Sequence, residues 1–355
     1  MQQVQLTLHG TPLENKPFRH ITLDEQKEFS EFLEKIGVFT EKVNDEKGLK
    51  WCASEFLKYD CLGDSSHPKK VKYLNCGYRG ICPRCSMSYA HKRAEIMYQY
   101  IRQNLANNLN FDLKMNQIVL TLPEDLHKDL DKKTFSKMVR YFISKMGIEA
   151  YGYSIQFRHT ANPLSSRFLH AHVLSLNIKD SNQKLIQNDY YFNTEKMREL
   201  WKNTIQKFTS SIVQGQVNIH TEYASVKQEK SKVVHLLAYL YRYSIQDLFQ
   251  VQVRKHTINY LENEQFEPDY VILQIEAMQK EPKNLTWCGL MTSTKRSYLV
   301  QLIQNTINEM VSWHGIDYFI KQLDERSRTC RECDCMYSEI PCDRGKYQGD
   351  NEPNF

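Results

Sequence analysis

The stretch FLHAHVL, residues 168–174, places two histidines inside an apolar run of strand-forming residues. Side chains alternate between the two faces of a β-strand, so His170 and His172 are predicted to project from the same face. Two imidazoles on one face can chelate a divalent cation and leave positions open for substrate oxygens. A pair of half-buried strand histidines without a metal is the alternative interpretation of this motif taken alone.

A third metal ligand is expected from the neighbouring predicted strand, residues 151–158. Gln156 is the first candidate, because a side-chain carbonyl oxygen suits Mg²⁺ or Mn²⁺. His159 is the alternative, although strand alternation places it on the opposite face from Gln156.

The segment VVHLLAYLYRY, residues 233–243, lies within a predicted helix and is rich in tyrosine. Tyr239 and Tyr243 are four residues apart, so their hydroxyls share one helix face, while Tyr241 points elsewhere and is expected to pack. A tyrosine can attack a phosphodiester and hold the cleaved strand as a phosphotyrosine. Arg242 could steady the phosphate or the leaving group. The alternative is that aromatic residues at this spacing belong to the core.

Cysteines at short spacings predict structural zinc rather than disulfides. The stretch CGYRGICPRC, residues 76–85, contributes three ligands, namely Cys76, Cys82 and Cys85. Cys61 is predicted as the fourth ligand, with His67 and Cys52 as rivals, and four thiolates would close the site.

A second candidate zinc site lies near the end of the sequence. Its predicted ligands are Cys330, Cys333, Cys335 and Cys342. A disordered tail is the alternative interpretation of this group. Cys288 is expected to be buried, with no role in metal binding.

The basic residues are unevenly distributed along the 355 residues, although the net charge is only +5. Between residues 69 and 102 there is a single acid, Glu95. The candidates for contact with DNA phosphates in this run are Lys69, Lys70, Lys72, Arg79, Arg84, Lys92 and Arg93. A solvated helix face is the alternative. No apolar stretch reaches the roughly 20 residues that a membrane span needs, and the N-terminus is polar, so a cytoplasmic protein without a membrane partner is expected.

The order of predicted elements after residue 110 is strand, helix (124–147), strand, strand, helix, strand, helix, and a further helix is expected over about 295–322. This order favours an α+β fold with a central antiparallel sheet flanked by helices. We predict four parts: an N-terminal helical segment (1–50), a zinc-binding module with a basic helix (51–110), a catalytic domain (111–265), and a C-terminal domain with the possible second zinc site (266–355).

Four motifs follow one another along the chain: the zinc segment ending in Cys82-Pro83-Arg84-Cys85, then Val119-Leu120-Thr121-Leu122, then His170-Ala171-His172, then Tyr239 to Tyr243. In this order they resemble the HUH endonuclease superfamily. The resemblance covers roughly residues 60–250. Two branches match: the rolling-circle replication initiators (Rep proteins) of plasmids and viruses, and the two-tyrosine rolling-circle transposases, whose Tyr-Leu-x-Arg-Tyr motif is present here.

The resemblance implies a ferredoxin-like or RRM-like nuclease domain and a catalytic Mg²⁺ or Mn²⁺ on His170 and His172, with Gln156 where relatives often carry Glu or His. It implies Tyr239 as the nucleophile and Tyr243 as a second one. Single-tyrosine initiators can carry a Glu four residues before the nucleophile to activate water. His235 stands there in this chain and would substitute for it.

The expected activity is therefore DNA nicking and rejoining through a covalent 5′-phosphotyrosine, on single-stranded DNA or an origin hairpin. The sequence has no GxxxxGK[ST] motif, so unwinding is expected to need a host helicase, and synthesis a host polymerase. A zinc-finger nucleic-acid-binding protein without catalysis is the alternative of another class; the cysteine groups and basic run would suffice for it.

Overall fold

A computed structural model describes residues 21–35, 37, 48–127, 130–158, 168–188, 193–211, 213, 217, 219–242 and 285–346. Within these ranges the chain forms seven helices. They are α1 (Leu23–Lys35), α2 (Pro83–Asn104), α3 (Lys132–Lys145), α4 (Thr194–Thr209), α5 (Lys230–Tyr241), α6 (Arg296–Ile307) and α7 (Ile316–Arg326).

The strands of the described residues form three antiparallel sheets. They are β1 (Glu55–Tyr59), β2 (Lys70–Tyr73), β3 (Lys114–Thr121), β4 (Ala150–Arg158), β5 (Phe168–Leu176), β6 (Ile178–Ser181), β7 (Lys184–Gln187), β8 (Ile219–Ser225), β9 (Leu285–Gly289) and β10 (Asp343–Lys346). The central sheet has the order β8-β3-β5-β4-β9, a three-stranded sheet has the order β10-β1-β2, and β6 pairs with β7. The expected α+β class with an antiparallel sheet is confirmed.

The central sheet carries helices on both faces, and strand alternation divides its residues between two cores. On one face Ile118 and Leu120 of β3 pack with residues of α3 and α4, including Trp201. The Trp201 indole is fully buried and its Nε1–H donates to the Thr121 carbonyl at 2.7 Å. Apolar side chains on this face therefore fix the register of β3, and the alternate residues of this strand project from the opposite face.

On that opposite face lie α2 and α5, which pack against each other. Met115 and Leu174 from the sheet share a core with Ile101 of α2 and Leu237 of α5. The start of α2 has a strong local signal: Pro83 occupies its first turn and the Cys82 sulfur accepts from the backbone N–H of Cys85.

Two expected helices begin or end differently in the structure. The helix expected over 295–322 is two helices, because Asn308 takes a left-handed conformation (φ 56°) that ends α6, and Gly315 precedes α7. The helix expected from residue 124 begins at Lys132, where the Asp131 carboxylate caps its first turn.

Residues 285–346 contribute to two different sheets. Strand β9 pairs with β4 at the edge of the central sheet, and β10 pairs with β1 of the expected zinc module. The boundary of the C-terminal domain stays a prediction. The described strands of this domain pair with strands from earlier parts of the chain. Among the described residues, no helix is long and apolar enough to cross a membrane.

Candidate metal and nucleophile site

The histidine pair lies on the face of the central sheet that α5 covers. His170 and His172 are 3% and 4% exposed, and their ring centroids are 5.0 Å apart. Strand alternation along β5 puts both on one face, as the sequence predicts. Two adjacent, buried imidazoles offer nitrogen donors to one cation.

Gln156 on β4 lies directly across from His170 in the strand register. Its side chain is fully buried, and its Nε2–H donates to the backbone carbonyl of Tyr239 at 2.7 Å. Its Oε1 is buried and has no hydrogen-bond partner among the described residues. Leaving a buried carbonyl oxygen without a donor costs about 1–3 kcal/mol, so this oxygen is suited to a cation that the histidines would share.

Gln117 on β3 was not singled out from the sequence. Its Nε2 lies 3.2 Å from His172 Nδ1, and the side chain is buried. With the amide turned so that its oxygen accepts from Nδ1–H, Gln117 would direct His172 Nε2 toward a metal. Strand alternation could have identified Gln117, because it puts this residue on the same face of β3 as Thr121, and Thr121 lies opposite His170.

Helix α5 places Tyr239 against this group. The Tyr239 ring stacks on the His172 imidazole, with centroids 5.3 Å apart and planes at 28°. The hydrogen bond from Gln156 satisfies a carbonyl in the last turn of α5, where backbone acceptors lack a helical partner. The same amide therefore fixes the tyrosine helix to the strand beside the histidines.

Two further side chains surround the tyrosine ring. The Arg242 guanidinium carbon lies 4.9 Å from the Tyr239 ring centroid, and Arg242 is 8% exposed. The His235 ring lies one turn before Tyr239, with centroids 5.0 Å apart. Burial lowers the pKa of His235 below its ordinary value of 6.5; Glu222 opposes this shift and Arg242 adds to it. His235 is thus neutral at pH 7 and able to accept a proton.

Two sequence-predicted residues, Tyr243 and His159, lie outside the described residues. Tyr241 belongs to the other side of α5, where its ring packs in the core of α2 and α5. Burial raises the pKa of Tyr241. Tyr239 is therefore the tyrosine of the described α5 residues that lies beside the histidines.

The first cysteine cluster consists of Cys52, Cys76, Cys82 and Cys85. The Sγ atoms of Cys52 and Cys76 each lie 3.6 Å from that of Cys85. The structure does not bring Cys61 here; Cys52, the rival, takes its place. Hydrogen bonds from Cys52, Cys76 and Cys82 lower the pKa of the Cys85 thiol, which favours a thiolate in this position.

The second cluster joins Cys61 and His67 with Cys330 and Cys333. The expected assignment of Cys61 to the first cluster is thereby corrected, because the residues after β1 pair with the C-terminal cysteine segment: Cys61 bridges to Tyr337, and the Leu62 N–H donates to the Met336 carbonyl. The expected ligand Cys342 lies apart from this cluster: it is exposed, and its sulfur contacts the Lys58 carbonyl at 3.4 Å.

The remaining two cysteines differ in their surroundings. Cys335 was the other expected ligand of the second site, but it lies beside the cluster and not in it: Cys61 and His67 complete the set, and the Cys335 backbone N–H donates to the Cys333 sulfur. Cys288 is half-buried on β9, opposite Tyr151, and burial raises the pKa of its thiol.

Both clusters have dimensions that suit zinc. Sulfurs at the corners of a tetrahedron with Zn–S bonds of about 2.3 Å lie about 3.8 Å apart, whereas a disulfide joins sulfurs at about 2.05 Å. The observed separations of 3.4 to 3.6 Å are near the first value. The chain thus has two Cys or Cys/His clusters that could hold a metal ion such as zinc.

The predicted phosphate-binding residues fall into different environments. Lys69 and Lys92 pair with Asp60 and Asp324 at 2.9 and 2.8 Å. The guanidinium carbons of Arg79 and Arg93 lie 4.8 and 5.4 Å from the Tyr89 ring centroid, and Arg84 is buried. Lys70 and Lys72 lie on β2.

Comparisons of the chain with protein-family models, with curated proteins and with solved structures return no match.

Proposed function

We propose that this chain is a metal-dependent endonuclease and strand transferase of the HUH type that nicks single-stranded DNA and initiates rolling-circle replication. One observation carries the proposal. The buried Oε1 of Gln156 lies on the face of His170 and His172, and the same amide anchors the helix that carries Tyr239.

The donor set suits a small oxygen-preferring cation. Gln156 Oε1, His170 and His172 would hold Mg²⁺ or Mn²⁺ with several positions open to phosphate oxygens. When bound, the cation polarises the scissile phosphate and offsets the charge that builds up on it.

The side chains around Tyr239 can perform the remaining steps. The Tyr239 hydroxyl oxygen attacks phosphorus, forming the phosphotyrosine bond while the bond from phosphorus to the 3′-oxygen breaks. Neutral His235 is one helical turn away and accepts the phenolic proton, and the departing 3′-oxygen takes a proton from solvent to become a hydroxyl. Arg242 adds positive charge beside the ring during attack.

The reverse step rejoins a strand. A 3′-hydroxyl attacks the phosphotyrosine and releases Tyr239, so no outside energy source is needed. Helicase and polymerase activity would come from host partners. The antiparallel sheet with helices on both faces supports an HUH-type fold for the central part of the chain.

Two alternatives share some of these features. A two-tyrosine transposase would use the same chemistry with Tyr239 and Tyr243, and paired element ends flanking the gene would favour it. The two metal-binding clusters alone would favour a non-catalytic zinc protein. That function does not account for the arrangement around Gln156.

The test incubates zinc-loaded protein with a labelled library of single-stranded oligonucleotides, with Mn²⁺ or without an added divalent cation. We expect a protein-linked DNA band on denaturing gels that requires Mn²⁺ and is lost in Tyr239→Phe and His170→Ala. Tyr241→Phe is the matched control, because it makes the same change on the same helix but on the packed side, and it should retain the band. DNA binding without any adduct in the wild-type protein would overturn the proposal.

A further inference from the structure

The second cluster is built from two parts of the chain that are far apart in sequence. Cys61 Sγ lies 3.4 Å from Cys333 Sγ, and His67 Nδ1 lies 3.6 and 3.7 Å from the sulfurs of Cys61 and Cys330. The other imidazole nitrogen, Nε2, lies 3.9 Å from the Asp64 carboxylate. A carboxylate behind a histidine is the usual support for a zinc ligand.

The loops around this cluster are shaped for thiolates. The backbone N–H groups of Asp64 and Gly63 donate to the Cys61 sulfur, and that of Cys335 donates to Cys333. A Cβ atom at Gly63 would lie 2.6 Å from the Cys335 sulfur and 3.0 Å from the Cys333 sulfur. Position 63 therefore has room for glycine alone while the sulfurs stay together.

The cluster also brings cations together. Lys70 follows His67 by three residues and Arg328 precedes Cys330 by two, so closing the cluster draws these two cations toward each other. Burial, and then the charges of Lys72 and Arg328, lower the pKa of Lys70. No ion pair joins Lys70, Lys72 or Arg328 to an acid in the part of the chain that the structure describes; Asp324, whose charge interacts with that of Arg328, is itself paired with Lys92.

Aromatic rings lie beside these cations. The Lys70 ammonium is 5.7 Å from the Tyr59 ring centroid and 6.0 Å from that of Tyr337. Tyr337 is itself held near the cations, because its N–H donates to the Arg328 carbonyl. Cations interleaved with aromatic rings offer both phosphate contacts and base stacking.

We propose that Zn²⁺ bound by Cys61, His67, Cys330 and Cys333 assembles Lys70, Lys72 and Arg328 into a DNA-phosphate-binding surface outside the nicking centre. The metal holds like charges together that would otherwise repel, and DNA phosphates supply the missing counter-charge. The DNA assignment rests on the proposed function, whereas the zinc site does not.

Native mass spectrometry tests the zinc-binding part of the proposal by counting the zinc ions bound to the protein. The Tyr239→Phe full chain should bind two zinc ions, and Cys330→Ser in that background should bind one. Cys342→Ser is the matched control, since Cys342 lies apart from the cluster, and it should keep two. Two zinc ions in Cys330→Ser, or one in Cys342→Ser, would overturn the ligand set.

The DNA half is tested by fluorescence anisotropy with a labelled, mixed-sequence DNA hairpin over a range of salt. Replacing Lys70, Lys72 and Arg328 together by Gln should keep two zinc ions and reduce the salt slope of log K by about 2 to 3, near 0.9 per lost phosphate contact on duplex. Lys58→Gln is the matched control, because Lys58 lies on β1 of the same sheet and is already paired with Asp343, and its slope should not change.

An unchanged slope and affinity in the triple variant would overturn the proposed surface, whether or not Cys330→Ser folds. Tighter binding of an RNA hairpin of the same sequence would overturn the assignment to DNA. Because every binding measurement uses the Tyr239→Phe background, failure of the wild-type protein to form a DNA adduct would count against the nicking activity and leave these readouts intact.

Discussion

Replacing Gln156 by Leu separates the two roles of this amide, in stability and in metal binding. The variant removes the donor of the Tyr239 carbonyl, which costs about 1–3 kcal/mol for a buried acceptor. It also removes the buried Oε1 that has no partner among the described residues, and this change stabilises the fold by a similar free energy. Without metal, the free energy of unfolding should therefore change by no more than about 2 kcal/mol.

With metal, the two proteins should diverge. At a Mn²⁺ concentration 100 times the dissociation constant, binding stabilises the wild-type chain by about 2.7 kcal/mol. If the loss of one ligand weakens binding at least tenfold, the variant gains at most about 1.4 kcal/mol at the same concentration. Urea denaturation of zinc-loaded protein with and without Mn²⁺ measures this difference.

Gln26 provides the matched control. It is also fully buried, its Nε2–H donates to the Leu49 carbonyl at 3.0 Å, and its Oε1 has no hydrogen-bond partner among the described residues. It lies on α1, outside the histidine group, so Gln26→Leu should leave the response to Mn²⁺ unchanged. Equal stabilisation of the wild-type and Gln156→Leu chains by Mn²⁺ would refute the assignment of Gln156 as a ligand.

Three further outcomes are expected. Gln117→Leu should weaken Mn²⁺ binding about 10- to 100-fold by calorimetry, because His172 loses the partner that orients it; an unchanged affinity would count against that role. The nicking rate should fall with decreasing pH only below 6.5, because neutral His235 gains a proton at its lowered pKa, and His235→Gln should remove this limb of the pH profile. The unfolded chain binds that proton more readily than the folded chain does, so the free energy of unfolding should also decline as the pH drops below 6.5. Trp201→Ala should lower the free energy of unfolding by about 3–5 kcal/mol in urea titrations, since the indole is fully buried between the sheet and the Phe135 and Phe142 rings, whereas a loss under 1 kcal/mol would contradict this packing.

Local periodicity explains what could be predicted. Alternation along β5 was sufficient to put His170 and His172 on one face, and the two-residue offset between Tyr239 and Tyr241 was sufficient to put them on different sides of α5. Both patterns depend only on the geometry of a single element.

Contacts between distant segments could not be predicted in the same way. Cys61 was predicted as the fourth ligand and Cys52 was only a rival, yet the choice depends on the path of β1, which pairs with a strand almost 290 residues later. Gln117 became visible only when the register of β3 against β5 was known. The split between α6 and α7 depended on Asn308 adopting a left-handed conformation, which few residues other than glycine do readily.

Mapping the covalent linkage identifies the residue that attacks the DNA. After reaction with single-stranded DNA and Mn²⁺, nuclease and trypsin digestion leaves Val233–Arg242 and Tyr243–Arg254 as separate peptides, since trypsin cuts after Lys232, Arg242 and Arg254. Fragmentation by mass spectrometry then locates the nucleotide phosphate. We expect it on Tyr239 in the first peptide; a phosphate on Tyr241, on Tyr243 alone, or on neither peptide would contradict the proposed mechanism.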